Sequence, residues 1–136
     1  MGANAYPEVL TVGGCDTEID VVDYSSRGPA IAMFPPGELQ QKPDICAYTH
    51  FLGSKTRRNY LPDTGVSAAS PVAAGCIAAL RTKCLPSQTS PDQLFRTIKQ
   101  TARGGHHAGP GGTWNEDFGY GIIDPVEAAR RLGLIH

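Results

Sequence analysis

DTGVSAASPVAAGCIAALRT, residues 63–82, is the stretch that decides how the rest of this chain is arranged. Gly65 precedes a run of small residues, Ser67 stands where an irregular loop is expected to become a helix, and Pro71 falls in what the pattern places as the first helical turn. Glycine lets the backbone bend and lets another group approach closely. A proline near a helix start sacrifices no hydrogen bond, because the first four amides have no partner inside the helix. Those same amides, at the positive end of the helix dipole, stabilise negative charge developing beside the serine oxygen. The arrangement suits acyl transfer through a serine nucleophile, although a serine at a helix start is in most proteins only a cap.

The remainder of the chain limits what such a nucleophile belongs to. At 136 residues there is room for one domain at most. Twelve basic and thirteen acidic residues are interspersed and leave a net charge of −1, which suggests neither a nucleic-acid surface nor a polybasic membrane patch. No apolar run approaches the roughly 20 residues that span a bilayer, and Met1 is not followed by a signal-peptide pattern, so the compartment stays unassigned. Cys15, Cys46, Cys76 and Cys84 lack the spacing of metal ligands. Cys76 and Cys84 are expected on or near the helix after Ser67, where eight residues of rise is about 12 Å, beyond disulfide reach. Reduced, structural thiols and no metal are therefore expected.

Short apolar segments alternate with turns. Residues 6–15, YPEVLTVGGC, predict a buried strand; residues 21–29, VVDYSSRGP, predict a second strand ending in a tight turn; residues 42–47, KPDICA, predict a third. Residues 50–62, with Lys55, Arg57 and Arg58, read as an exposed loop whose charges form a solvated face. The Ala-rich helix after Ser67 predicts a buried element, because little of its surface is polar before Arg81. Ser90, Pro91 and Gln93 start a further helix with Leu94, Phe95 and Ile98 on its inner face, and Asp124, Pro125 and Glu127 start another that Gly133 ends. His106 and His107 sit in the glycine-rich loop of residues 103–112, which is too mobile a setting for a general base.

TGVSAASPVAAG resembles the GTSxASPxxAG nucleophile motif of the subtilisin-like serine proteases, the subtilases of peptidase family S8, at Gly65, Ser67, Ala69, Ser70, Pro71, Ala74 and Gly75. It departs at Val66, where that family carries threonine. Four more segments follow the family in order: YPEVLTVGG, YSSRGP, KPDICA and the closing GIID around Gly121, Ile123 and Asp124. Tyr48 and Thr49 replace the usual Pro-Gly after KPDICA.

The resemblance implies an α/β fold, a mostly parallel sheet flanked by helices, with residues 1–136 forming the incomplete, C-terminal part of a catalytic domain. It implies a serine endopeptidase with Ser67 as nucleophile, the Ser67 backbone N–H in the oxyanion hole, and Gly65 and Val66 in the nucleophile turn. Peptide or protein substrates follow, and a weak calcium or sodium site through the main-chain carbonyls of Asn4, Tyr6 and Val9. The family's Asp motif, its HGTH motif and its oxyanion Asn motif are absent, and Asp16, Asp20, Asp23 and His50 do not match them. The chain alone is thus expected to be inactive, its partner residues coming from a missing N-terminal half or another chain. The alternative is a non-catalytic fragment or interaction module in which Ser67 is only a helix cap.

Overall fold

Alternation of side chains in ICAY sets the middle of the molecule. In β4 (Ile45–Tyr48), Ile45 and Ala47 face one side of the sheet, while Cys46 and Tyr48 face the other. A computed structural model of the chain describes residues 2–31, 37–53, 62–106 and 109–136. In it β1 (Val12–Cys15) runs parallel to β4, with Val12 opposite Ile45 and Cys15 opposite Tyr48. On the other edge of β4 the Cys46 amide donates to the Gly121 carbonyl at 2.8 Å, and the Ile123 amide donates to the Cys46 carbonyl at 2.9 Å. Ile122 in turn exchanges two hydrogen bonds with Arg103. A two-residue antiparallel pair, β2 (Ala30–Ile31) with β3 (Leu39–Gln40), stands apart.

Among the described residues three α-helices follow: α1 (Val66–Arg81), α2 (Pro91–Thr101) and α3 (Pro125–Arg131). Local chemistry starts the last two. The Ser90 hydroxyl accepts from the Gln93 amide at 3.2 Å, and the Asp124 carboxylate accepts from the Val126 and Glu127 amides at 3.1 and 2.9 Å. Gly133 (φ 70°) takes the left-handed conformation that ends α3. Ala69, Ala73 and Leu80 of α1, Leu94 and Ile98 of α2, and Ala128 and Ala129 of α3 all close over Ile45, Ala47 and Ile123. The opposite face is a smaller cluster of Cys15, Cys46, Phe118 and Ile122, roofed by Ile19 and Val21 rather than by a helix.

The structure corrects three expectations. The first strand is confined to residues 12–15, since a 3-10 turn occupies Gly2–Ala5 and bends follow it. Residues 21–29 form no strand: Val21 makes one isolated bridge to Cys15, and the Ser25 amide turns back to the Val22 carbonyl at 2.9 Å. That turn closes the outer edge of β1, because the Val22 amide donates to the Gly14 carbonyl at 3.1 Å and the Ser25 hydroxyl accepts from the Gly14 amide at 3.0 Å. Burial of α1 is one-sided, with Ala74, Gly75, Ala78 and Ala79 exposed, because no described element packs on that flank. The expectations for Lys55, Arg57, Arg58 and His107 lie outside the described residues. Among the described residues no helix is long and apolar enough to cross a membrane.

All four cysteines are free thiols. Burial, reinforced by Asp16, pushes the Cys15 thiol from 9.0 up to about 12, and burial beside Cys15 pushes Cys46 higher still. An unfolded thiol ionises near 9.0 and the folded Cys15 only near 12, so the stability it confers is complete below pH 9 and is lost as pH climbs between these values. The unfolding free energy of the wild type should therefore fall relative to that of Cys15→Ala from pH 9 upward, with a slope approaching about 1.4 kcal/mol per pH unit. Urea titrations at several pH values check this, and a pH-independent gap between the two proteins would contradict it.

Candidate active site

The turn before α1 is fastened from two other parts of the chain. Gly65 is the N-cap of α1 and adopts φ 94°, a conformation that disfavours any side chain. Its amide donates to the Tyr24 hydroxyl at 2.9 Å. Its carbonyl accepts from the hydroxyl of fully buried Thr49 at 3.1 Å and from the Ala68 amide at 3.0 Å. Upstream, the Asp63 amide donates to the Phe51 carbonyl and the His50 amide to the Asp63 carbonyl, both at 2.8 Å. The continuation of β4 thus carries the turn to a fixed place beside the sheet.

Within this turn the three expected residues divide their tasks. Val66 begins α1 and lies over the end of β1, with its Cγ2 3.6 Å from where a Cβ on Gly14 would stand. Ser67 is the second helical residue, is exposed, and lines a cleft of about 570 Å³ with Phe51, Asp63, Thr64 and Pro71. Its amide is one of the four at the helix start that have no acceptor within the helix, which is the chemistry an oxyanion donor needs. Pro71 is the sixth helical residue rather than a first-turn one. Its missing N–H leaves the Ser67 carbonyl without the usual donor four residues on.

No histidine among the described residues is hydrogen-bonded to the Ser67 hydroxyl. His50 (φ 60°) has its ring centroid 6.0 Å from that of Tyr24, and its buried Nδ1 lacks a hydrogen-bond partner. The His106 Nδ1 stands 3.5 Å from the Asp20 carboxylate. Asp16 accepts from the Glu18 and Asp20 amides, each at 3.0 Å, and so serves its own loop. Among the described residues no group of three His, Cys, Asp or Glu side chains is placed to hold a metal.

Two residues that matter to the turn were not singled out by sequence reasoning. Tyr24 matched an aromatic position, but its hydroxyl works 41 residues away on Gly65. Thr49 looked like a mere departure from a family pattern, yet its hydroxyl bonds the Gly65 carbonyl. The three carbonyls expected to face a cation are engaged by donors of the chain. Val9 accepts from Lys42 Nζ at 2.7 Å, Asn4 from the Thr11 hydroxyl at 2.6 Å, and Tyr6 from the Val9 amide at 3.2 Å.

Residues 3–121 match the model of the subtilase family. The chain is 33% identical over 130 residues to the subtilisin-like protease SBT6.1 of Arabidopsis thaliana, covering 95% of this chain and 12% of that protein. It is 38% identical over 74 residues to the human membrane-bound transcription factor site-1 protease, covering 54% of this chain and 7% of that protein. The chain thus spans a small fraction of these relatives' length. The Clostridium perfringens CspB protease superposes with a TM-score of 0.73 at 21% identity, over 96% of this chain and 29% of that one. MycP1 with its propeptide removed superposes with a TM-score of 0.64 at 26% identity, over 93% of this chain and 38% of that one. The chain takes up part, not the whole, of the α/β subtilisin-like fold.

Deleting the phenolic oxygen tests how the turn is held. Tyr24→Phe should speed hydrogen exchange of the Gly65 amide by roughly 2–10-fold, the value of one net hydrogen bond. The Cys46 amide, paired inside the sheet, should exchange unchanged. Equal rates at Gly65 in the two proteins would mean that Tyr24 does not hold the turn.

Proposed function

The chain belongs to the subtilase family, and we propose that it is the nucleophile-bearing part of a serine endopeptidase acting on peptide or protein substrates. The observation that carries this reading is the exposed Ser67 at the second position of α1, in an open cleft, on a turn whose Gly65 is bonded at both its amide and its carbonyl. In the reaction the Ser67 oxygen attacks the scissile carbonyl carbon and its proton passes to a general base. The carbonyl oxygen, now anionic, accepts from the Ser67 amide at the positive end of α1. Collapse expels the amine, which takes the proton from the base, as an acyl-serine forms. Water then gives a proton to the same base and attacks the ester, and the base returns that proton to the Ser67 oxygen as the acid leaves. The base and the group that orients it come from the rest of a longer protein or from a second chain.

One observation favours a second reading, a non-catalytic module: no base is hydrogen-bonded to Ser67 among the described residues. A fluorophosphonate probe separates the two. The first reading expects labelling at Ser67 once the complementary half of a subtilase domain is supplied, and none in Ser67→Ala. Absence of labelling with that half bound favours the module.

The 136-residue chain alone is expected to show no measurable cleavage of casein. Intact triad enzymes stripped of one member keep roughly 10³–10⁴-fold acceleration over water, and here the family's Asp, HGTH and oxyanion Asn motifs are all absent from the sequence. Turnover that vanishes in Ser67→Ala yet survives joint replacement of His50, His106 and His107 by Ala would reveal another base. In the complemented enzyme, Val66→Thr should raise kcat by roughly 2–10-fold if its hydroxyl adds one hydrogen bond to the oxyanion, and an unchanged kcat would exclude that contribution.

A further inference from the structure

Lys42 is a lysine with a side chain only 2% exposed, a place where an ammonium persists only when paired. Its Nζ donates to the Val9 carbonyl at 2.7 Å and to the Asp44 carboxylate at 2.7 Å. The same Asp44 oxygen accepts from the Thr11 amide at 2.8 Å, and the other pairs with Lys99 Nζ at 2.6 Å. Lys99 also lies over the Tyr120 ring, 5.5 Å from its centroid. Two ammonium groups therefore surround a single buried carboxylate.

A main-chain carbonyl beside a carboxylate is the oxygen-donor chemistry that hard cations take. Here the position between them is filled from within the chain. The Asn4 and Tyr6 carbonyls, which would complete the family's weak cation site, accept from Thr11 and from the Val9 amide. An incoming metal ion would have to displace Lys42 and then face Lys99 across Asp44. The residues present do not fit the calcium or sodium ion that the resemblance implies. We infer that the Lys42 ammonium is a built-in counter-ion at this site, clamping Val9 before β1 to Asp44 before β4, and that the fold draws no stability from a bound cation there.

The test is thermal unfolding of the full 136-residue chain at constant ionic strength, in choline chloride with EDTA and then in potassium, sodium or calcium chloride. The wild type should unfold at the same temperature in every salt. Lys42→Ala should unfold at a lower temperature in choline and recover by roughly 3–8 °C, saturably, with at least one of the three metal ions, because vacating the ammonium exposes the oxygen donors. A saturable stabilisation of the wild type by any of the three overturns the inference, and that arm decides even if Lys42→Ala fails to fold. Failure of all three ions to rescue a folded Lys42→Ala also overturns it, since the ammonium would then not be standing in a cation's place. Lys42→Met, which keeps the stem without the charge, should be rescued less than Lys42→Ala because its methyl end fills the space. Equal or greater rescue would count against the site.

Discussion

β4 is hydrogen-bonded on both edges, and that pairing supports everything else described. β1 holds one edge along four residues, and the Gly121–Ile123 segment holds the other through Cys46. A short strand fixed on both sides makes its two continuations rigid. The N-terminal one delivers Lys42 and Asp44 to the buried charge cluster, and the C-terminal one delivers Thr49, His50 and Phe51 to the turn that starts α1. The backbone pairing of Ile45–Tyr48 therefore aligns an electrostatic anchor and the turn that carries Ser67 from a single element.

The elements that sequence reasoning located are those specified by neighbours in the chain. Ser90 and Asp124 announce α2 and α3 because a cap bonds to amides two or three residues away. Of the strand expected over residues 42–47, only residues 45–47 enter β4, which continues to Tyr48, because burial on both faces needs an apolar run and Lys42 and Asp44 form an ion pair before it. The turn into α1 is legible for the same reason, as Gly65, Val66 and Ser67 are consecutive.

What escaped was non-local or compositionally ambiguous. Nothing in YSSRGP shows that the Tyr24 hydroxyl will meet Gly65, because the meeting depends on where β1 and β4 place both segments. The buried Lys42 is hidden likewise, since its acceptor Val9 is 33 residues away. Residues 21–29 read as a strand from Val-Val, but Gly14 uses them as a lid on a sheet edge, a role that blunts the edge without lengthening the sheet. The exposed flank of α1 escaped because alanine is at home both in a core and in water, so an Ala-rich helix carries no record of which side is covered.

The paired bases at Phe51 and Asp63 have a consequence for how this scaffold tolerates change. The Asp63 amide donates to the Phe51 carbonyl and the His50 amide to the Asp63 carbonyl, and the left-handed backbone of His50 and Gly65 turns the chain at this closure. The entropy of closing a chain grows only with the logarithm of the length closed. The register of β4 and the start of α1 therefore rest on bonds between these bases, and the separation of the bases along the chain can grow at little cost.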